Sequence, residues 1–492
     1  MVDGASYKIA GDLPAFLLES KLRWCSVRLR EILEGSLRLD AGFYNTGGRQ
    51  ARAVLEQCKF PMDQVSGDTG IANAYYYPRF RRIWVGETGI PLILPSQITD
   101  VFPKPSGYIS PNTKTDIEAL RVKKGQILLT RSGTVGLCAI VGSALDGQVV
   151  SDDIIRIDCK DIENMGYLYA FLRTETGKAI IQTSEYGAVI SHIEPKHLEF
   201  IPIPRPPQAV KKQVHDLVTR SCDLRDEAYL LLAKADQLLC NSLNLPPLSA
   251  LRPAYFDTSS ELRNYEVNLS ELEKRLDASY HLPIVNVILR RLRVKSSRIA
   301  TLGEDQISNR IILPARFSRV YVQEDQGGVP FFGGKEIYQL SPMTNKYLSR
   351  RHHGKRIEKE VALMENMILI TRSGTIGRVA IVPEHWNGWA ANEHIIRVEP
   401  TSANLGGYLY VFLASEYGRE LITRFTYGAV VDEIDAGHVS KIPIPLLTDA
   451  KAQATIGSLA LEAKAKLTEA HKTEQEAIRI TNEEVIHAAK NE

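Results

Sequence analysis

The chain has 492 residues, of which 44% are hydrophobic and 24% are charged, with a formal net charge of +2 at pH 7. This composition excludes fibrous and disordered classes, and the length is enough for about two to four domains. No apolar run approaches the roughly 18 residues that cross a bilayer, and the first residues lack the pattern of a signal peptide, so we expect a cytoplasmic protein that binds no membrane.

Basic residues cluster in two places along the chain. Phosphate binding needs local basic density rather than a basic total, so a net charge near zero does not exclude a nucleic-acid partner. Such clusters are more often solvated surface than binding sites, and alone they do not decide a function. The clusters are Arg79, Arg81 and Arg82 in the first half, and Lys346, Arg350, Arg351, His352, His353, Lys355, Arg356 and Lys359 in the second.

A long internal repeat determines the architecture. GQILLTRSGTVGLCAIVG at 125–142 matches NMILITRSGTIGRVAIVP at 366–383, and the register stays constant to the IPIP segments at 201–204 and 442–445. Roughly four positions in ten are identical over this stretch, which duplication explains most simply. Upstream the match continues with small gaps, so each copy is a domain of about 180 residues. The other matched segments are DDIIRI with EHIIRV, GYLYAFL with GYLYVFL, YGAVI with YGAVV, LRLDAGFY with EKRLDASY, PRFRRIWV with PARFSRVYV, GIPLI with GVPFF, and GYIS with KYLS.

Within each copy, the TRSGT segment predicts a strand, a Ser-Gly-Thr turn and a second strand, because β-branched residues flank glycines that tolerate positive φ. Apolar residues at helical spacing predict one helix over 166–181. Several short strands and helices together predict a mixed α and β domain.

A polar, alanine-rich segment with apolar residues every three or four positions follows each copy. This pattern predicts a helix of about 35–40 residues, or about 50–60 Å. A single amphipathic helix of this length needs a partner, and the two apolar stripes most simply cover each other as an antiparallel pair. The alternative is that each helix packs separately on its own domain.

The predicted fold class is α+β, with two tandem repeated α/β domains separated by long helices that pair as an antiparallel coiled coil. The predicted boundaries are an N-terminal segment 1–22, a first domain 23–205, a spacer helix 206–245, a linker 246–263, a second domain 264–446 and a C-terminal helix 447–492.

Common catalytic signatures are absent from the sequence. It contains no Asn/Asp-Pro-Pro-aromatic motif of a methyltransferase, no phosphate loop ending in Gly-Lys-Ser/Thr, no H-E-x-x-H and no G-x-S-x-G. Glu393 and His394 are expected side by side on a strand with their side chains on opposite faces, and Asp152 with Asp153 is interpreted as a structural or surface pair. The cysteines lack metal-ligand spacing and are expected to be buried or incidental thiols, at Cys25, Cys58, Cys138, Cys159, Cys222 and Cys240. We therefore expect no catalytic residue and no metal site.

The doubled order of TRSGT, YGAV and IPIP motifs, each copy followed by a long helix, resembles the DNA-specificity (S) subunit of type I restriction-modification systems. The resemblance covers nearly the whole chain from about Arg23 onward. It implies two target-recognition domains that each read one half of a bipartite double-stranded DNA target, with the helix pair setting the gap. It also implies partners: two methyltransferase subunits that use S-adenosylmethionine, and restriction/translocase subunits that use ATP and Mg. No cofactor is expected on this chain itself.

Residues identical in both copies cannot distinguish two different half-sites, so we expect them to build the fold or hold phosphates, while base readout falls where the copies differ. The predicted scaffold or DNA-backbone residues are Thr130, Arg131, Ser132, Thr371, Arg372 and Ser373, and a buried structural role is the alternative for Arg131 and Arg372. The predicted phosphate clamps, which match between the copies, are Arg79, Arg82, Arg316 and Arg319. The predicted contacts to base edges or local phosphates are Lys104, Lys346, Arg350, Arg351, His352 and Lys355.

Two other functions fit a duplicated chain without a catalytic signature. One is a protein-interaction scaffold, which would show no salt-sensitive affinity for DNA. The other is a stand-alone nuclease with an unrecognised site, which would cleave DNA in the presence of magnesium without partners.

Overall fold

The structure is a computed structural model that describes residues 46–86, 88–183, 192–251, 265–272, 275–342, 346–428 and 431–488, together with residues 27, 29 and 32. The predicted N-terminal segment 1–22, Cys25, and the LRLDAGFY and YGAVI segments lie outside the described residues. Within the described part, no helix combines the length and the apolar character needed to cross a membrane.

The first copy is built from short strands, which in chain order are β1 (Met62–Gln64), β2 (Ala72–Tyr75), β3 (Trp84–Val85), β4 (Ile90–Ile93), β5 (Gly107–Ile109), β6 (Ile127–Thr130), β7 (Cys138–Ile140), β8 (Val149–Val150), β9 (Ile154–Cys159) and β10 (Pro202–Pro204). One four-stranded sheet has the order β2-β9-β6-β7, and all of its neighbours are antiparallel. The other has the order β3-β5-β4-β8, in which β8 runs parallel to β4. A ladder between β1 and β10 brings the beginning of the copy to its IPIP exit.

The second copy repeats both sheets strand for strand. Its strands are β11 (Ser296–Thr301), β12 (Ser308–Ile312), β13 (Tyr321–Val322), β14 (Gly328–Phe332), β15 (Tyr347–Ser349), β16 (Ile368–Thr371), β17 (Val379–Ile381), β18 (Ala390–Ala391), β19 (Ile395–Pro400) and β20 (Pro443–Leu447). The sheet orders are β12-β19-β16-β17 and β13-β15-β14-β18, and β11 pairs with β20. The strands and helices together form the mixed α/β fold that the sequence predicts.

The TRSGT segment forms the predicted strand, turn and strand in both copies, with β6 and β16 fully buried. The threonine of the motif closes the turn: Thr130 Oγ1 donates to the Thr134 carbonyl at 2.6 Å and accepts from Leu137 N at 2.9 Å. Thr371 makes the equivalent pair of bonds in the second copy. Gly133 has a φ of 72°, which a side chain would strain. The motif is therefore built for a tight turn.

The described helices are α1 (Thr46–Gln57), α2 (Glu163–Arg173), α3 (Glu175–Thr183), α4 (Pro195–Leu198), α5 (Gln208–Leu243), α6 (Leu248–Leu251), α7 (Pro283–Lys295), α8 (Arg350–Arg356), α9 (Ala403–Ala414), α10 (Glu416–Thr423), α11 (Ala436–Ser440) and α12 (Ala450–Ile480). Short π-helical segments extend α8 to Val361 and α12 to Ile486. The two long helices, α5 and α12, have 36 and 31 residues.

Two local predictions are wrong. The single helix predicted over 166–181 is two helices, because Thr174 adopts an extended conformation and its Oγ1 accepts a hydrogen bond from Gly177 N, which starts α3. Glu393 and His394 do not lie on a strand: they form the turn before β19, where the Asn392 side chain accepts a hydrogen bond from His394 N. In both cases a side chain that bonds to the backbone ends the regular element.

The long helices α5 and α12 run in opposite directions against each other. Ser221 Oγ donates to the Ala470 carbonyl at 2.8 Å. Arg220 pairs with Glu469 at 3.0 Å, whereas Glu227, about two helical turns further along α5, pairs with Lys466 at 2.5 Å. Residue numbers therefore rise along α5 in the direction in which they fall along α12, so the two helices are antiparallel.

Each long helix contributes to the apolar core of both copies. The first core takes Val214 and Val218 from α5 and Ala477 and Ile480 from α12. The second core takes Ala235 and Leu239 from α5 and Ile456 and Ala460 from α12. The two copies are consequently connected by two helices, and not by the covalent link through α5 alone.

The two copies also touch each other directly. Val101 N donates to the Tyr338 carbonyl at 2.8 Å, and Asp100 forms an isolated antiparallel bridge with Gln339. The Asp100 carboxylate accepts a hydrogen bond from Arg378 at 3.0 Å. Because GIPLI aligns with GVPFF, Asp100 and Gln339 are equivalent residues of the repeat. The contact joins like to like, as a two-fold axis would.

Candidate nucleic-acid interface

The arginines of the two TRSGT motifs are held inside their own domains. Arg131 has a side chain only 7% exposed, and it donates to Glu194 at 2.8 Å, to Asp153 at 3.3 Å and to the Ile193 carbonyl at 3.3 Å. Burial works against its charge, but Glu194 and Asp153 outweigh burial and raise the pKa of Arg131. Ser132 bonds to the same Asp153.

Arg372 is anchored in the same way by a different acid. It bonds to Glu433 and donates to the Ile434 carbonyl at 3.2 Å, the position equivalent to Ile193. Ser373 lies 2.7 Å from His394 Nδ1. In both copies the arginine ties the TRSGT turn to the segment that closes the domain. Their contact with DNA stays a prediction.

A second pair of matched arginines also forms equivalent ion pairs. Arg82 donates to Asp152 at 2.7 Å, and Arg319 donates to both oxygens of Glu393 at 2.5 and 2.7 Å. Both acids are nearly inaccessible, whereas each arginine side chain is 29% exposed. These pairs fix the approach to the edge strands β3 and β13 and leave part of each guanidinium facing outward.

Arg82 and Arg319 are each preceded, three positions earlier, by an exposed arginine. Arg79 is exposed, and Arg316 is 70% exposed with one nitrogen 3.2 Å from Glu433. Arg81 is exposed as well. An exposed guanidinium beside an anchored one is an arrangement that suits a phosphate contact.

The basic run of the second half forms helix α8. Ser349 caps the helix, since its Oγ accepts a hydrogen bond from His352 N. Arg350, Arg351 and Lys355 are exposed, and no ion pair involves them within the described part of the chain. Lys346, which directly precedes β15, is also exposed. This cluster presents the densest positive surface among the predicted residues.

Lys104 does not join these groups. Its ammonium donates to the Ala414 carbonyl at 3.3 Å, at the contact between the first copy and the second. Arg79 and Arg82 therefore lie just before β3, and Arg316 and Arg319 lie just before β13. The basic run lies on and beside α8, and Lys104 lies at the contact between the two copies.

The edge strands carry large apolar side chains that sequence reasoning did not single out. Trp84 is 51% exposed and Tyr321 is 44% exposed, and their neighbours Ile83 and Val320 are also exposed. Each strand pairs only with one neighbour, β5 or β15, at the outer edge of its sheet. The available signal was an apolar triplet following closely spaced arginines in both copies.

Two buried arginines were also missed. Arg156 and Arg397 are equivalent residues, almost completely buried, and they donate only to backbone carbonyls, among them Leu120 at 3.1 Å and Val361 at 3.2 Å. Burial lowers the pKa of Arg397 to about 9. The signal was a lone arginine repeated inside an apolar strand, IIRI and IIRV. Both hold the loops around the sheets and are not surface groups.

Within the described residues, no cluster of three or more His, Cys, Asp or Glu side chains could hold a metal ion. The described cysteines are free thiols, at Cys58, Cys138, Cys159, Cys222 and Cys240. Asp152 and Asp153, the acid pair that the sequence suggested to be structural, are engaged by Arg82 and Arg131.

The second copy matches a known family. The family model described as "Type I restriction modification DNA specificity domain" matches residues 314–479, from the arginine segment before β13 into α12. This match confirms the resemblance drawn from the repeated motifs. No curated protein matches the sequence.

Similar solved structures include the S subunit of a type I restriction-modification system from M. genitalium, which is 13% identical, with 88% of this chain and 97% of that chain covered and a TM-score of 0.33. The HsdS subunit from Thermoanaerobacter tengcongensis is 15% identical, with 87% and 93% covered and a TM-score of 0.26.

Proposed function

We propose that this chain, which carries a type I restriction modification DNA specificity domain over residues 314–479, is the DNA-specificity subunit of such a complex and reads a bipartite target. The observation that carries the proposal is that the strand orders of the matched domain recur in the first copy. Residues 23–205 and 264–446 are then the two target-recognition domains. Residues 206–245 and 447–492 form the coiled coil that holds them apart, and 246–263 connect the first helix to the second domain.

In this proposal the two kinds of arginine have different functions. The anchored Arg82, Arg131, Arg319 and Arg372 shape the domains, because each already pairs with an acid of its own domain, buried for Arg82 and Arg319 and partly exposed for Arg131 and Arg372. The exposed basic side chains contact the phosphates and fix the register of each domain on the duplex. They are Arg79, Arg316, Lys346, Arg350, Arg351 and Lys355.

The chain itself performs no reaction in this proposal. Two methyltransferase subunits dock along the helices and bind S-adenosylmethionine, and restriction/translocase subunits bind ATP and Mg. The specificity subunit acts by holding both half-sites of double-stranded DNA at a fixed separation, in the cytoplasm. The adenines to be modified are thereby presented to the partners.

Sequencing of adenine methylation in cells that make this chain with its methylating subunits tests the proposal directly. We expect a bipartite methylated motif with two different halves and a fixed unspecified gap. A continuous palindrome, or no methylation that depends on this chain, would contradict it.

The basic helix provides a sharper test in the assembled complex. The double variant Arg350→Ala/Arg351→Ala should weaken binding to all sequences if it removes phosphate contacts, with the slope of log affinity against log salt reduced by about 0.9 for each lost contact. If these side chains read bases instead, the loss is confined to the second half-site. The matched control is Arg290→Ala/Arg293→Ala, an equal charge change at exposed positions of α7. Equal salt slopes together with unchanged affinity for both half-sites, in the unsubstituted chain and both variants, would exclude Arg350 and Arg351 from the interface.

A further inference from the structure

We propose that the exposed edge strands β3 and β13, each with the residue that precedes it (Ile83 and Val320), are DNA-reading elements, with Trp84 contacting bases of one half-site and Tyr321 contacting bases of the other. This inference rests on the proposed function. It adds exposed aromatic and apolar side chains to the basic residues already named. It concerns the apolar part of the interface, whereas the arginines and α8 concern the phosphates.

The first argument is the exposure of the strands. Edge strands with large apolar side chains are prone to unwanted pairing, and proteins usually shorten, charge or cover them. Here Ile83, Trp84 and Val85 are each at least 40% exposed, and Val320 and Tyr321 are 39% and 44% exposed. The feature occurs at the same strand of the same sheet in both copies, although the side chains differ. A recurrence of this kind indicates a shared partner rather than a local packing fault.

The second argument is the charge around the strands. Residues 76–86 and 313–323 contain arginines and aromatic side chains but no carboxylate. In the second copy the basic helix α8 is attached directly to the strand, because His353 Nε2 accepts from Val320 N at 3.0 Å and Ser349 N donates to the Val320 carbonyl at 2.9 Å. Aromatic side chains interleaved with exposed cations are the composition of a nucleic-acid surface. A polyanionic duplex is therefore the occupant that this surface fits.

The third argument is the packing of the Trp84 ring against strand β5. The indole of Trp84 lies against Gly107 of β5, so closely that a Cβ on Gly107 would be 2.8 Å from the ring. The glycine gives the ring a flat support on one side, while about half of its surface stays open. A rigid aromatic plate of this kind contacts base edges or thymine methyl groups with little loss of conformational freedom.

Because the exposed side chains of β3 and β13 differ, we assign each strand to a different half-site. Base readout must come from residues that are not identical, and Trp84 and Tyr321 occupy equivalent positions with different side chains. The anchored arginines beside them, Arg82 and Arg319, are identical and keep the two strands in the same geometry.

The test uses the complex with its methylating subunits and three duplexes: the full target, and targets with either half scrambled. Trp84→Ala should lower affinity for the full target about tenfold to a hundredfold, with no change in the salt slope because no phosphate contact is lost. On the duplex whose first half-site is scrambled, the Trp84→Ala complex should bind with the same affinity as the unsubstituted complex. Tyr321→Ala should show the same behaviour at the second half-site. The matched control is Phe200→Ala, since Phe200 is 68% exposed but lies away from the edge strands in sequence and sheet.

Fluorescence gives an independent readout that a folding defect does not imitate. Trp386 is buried and Trp389 half-buried, so Trp84 is the most exposed tryptophan of the described residues. Specific DNA should protect the emission of the complex from acrylamide, and Trp84→Phe should abolish that protection while keeping most of the affinity. Unchanged DNA affinity with weaker assembly of the methylating subunits would overturn the inference and assign the strands to a protein partner. Absence of sequence-specific binding by the unsubstituted complex would instead reject the proposed function itself.

Discussion

The length of the two long helices sets the gap between the half-sites in the proposed function. Each inserted residue lengthens a helix by about 1.5 Å, so seven residues add about 10 Å and nearly preserve the facing stripe. At 3.4 Å per base pair this corresponds to about three base pairs. An insertion of one or two residues instead rotates the stripe by about 100–200° and should prevent assembly.

The structure shows that both helices must be lengthened. Both enter the core of each copy, and the far end of α12 holds the first copy through Tyr169, whose hydroxyl donates to Glu474 at 2.5 Å, and through Cys58, which bonds to the Val485 carbonyl. A heptad inserted into α5 alone therefore leaves the first domain attached to an unchanged α12. We expect such a variant to keep its original gap, or to fail to assemble.

Heptads inserted at opposing points, after Leu224 in α5 and after Ala465 in α12, should lengthen the gap by about three base pairs and keep both half-site sequences. They should also lower the melting temperature, because contacts across the midpoint are lost, such as the 3.0 Å bond from Arg378 to Asp100. Sequencing of adenine methylation in cells reads the gap directly. A clean lengthening by the α5 insertion alone would refute the reasoning that α12 is a second connection.

Two predictions concern single buried charges. Arg131→Gln leaves Asp153 and Glu194 without their cation, so it should lower the free energy of unfolding by about 3–5 kcal/mol in urea titrations and weaken binding to every DNA sequence alike; unchanged stability with a selective loss at one half-site would show a base contact instead. Burial raises the pKa of Asp100 to about 7 although Arg378 opposes the shift. Because this folded-state pKa lies above the unfolded value of about 3.9, the folded chain binds the extra proton and stability falls as pH rises from about 4 to 7. Asp100→Asn should remove this part of the pH dependence, and a variant whose melting temperature falls with pH as before would show that another group titrates.

The sequence predicts the features that depend on local pattern. The TRSGT turn and the strands on either side of it follow from glycines and β-branched residues, and the long helices follow from apolar spacing. The break at Thr174 was missed because a single threonine that caps the next helix does not disturb the apolar periodicity around it.

The candidate site could be predicted only in part. Charge patterning located the arginines, but whether each is anchored or exposed depends on acids far away in the chain, such as Glu433 for Arg372. The junction at Asp100 joins residues separated by more than two hundred positions, and no local signal marks such a contact.

The bridge between Asp100 and Gln339 bears on whether a first domain pairs with a second domain or with another first domain. On a true two-fold axis a residue meets its own copy, so two first domains would oppose two buried Asp100 carboxylates. Arg378, which donates to this acid, stands where the first domain has Leu137, so such a self-pair would lack this cation. Like charges without a counter-ion are costly in a buried contact. We therefore expect the divergence at these positions to favour pairing of the two unlike domains over pairing of two first domains.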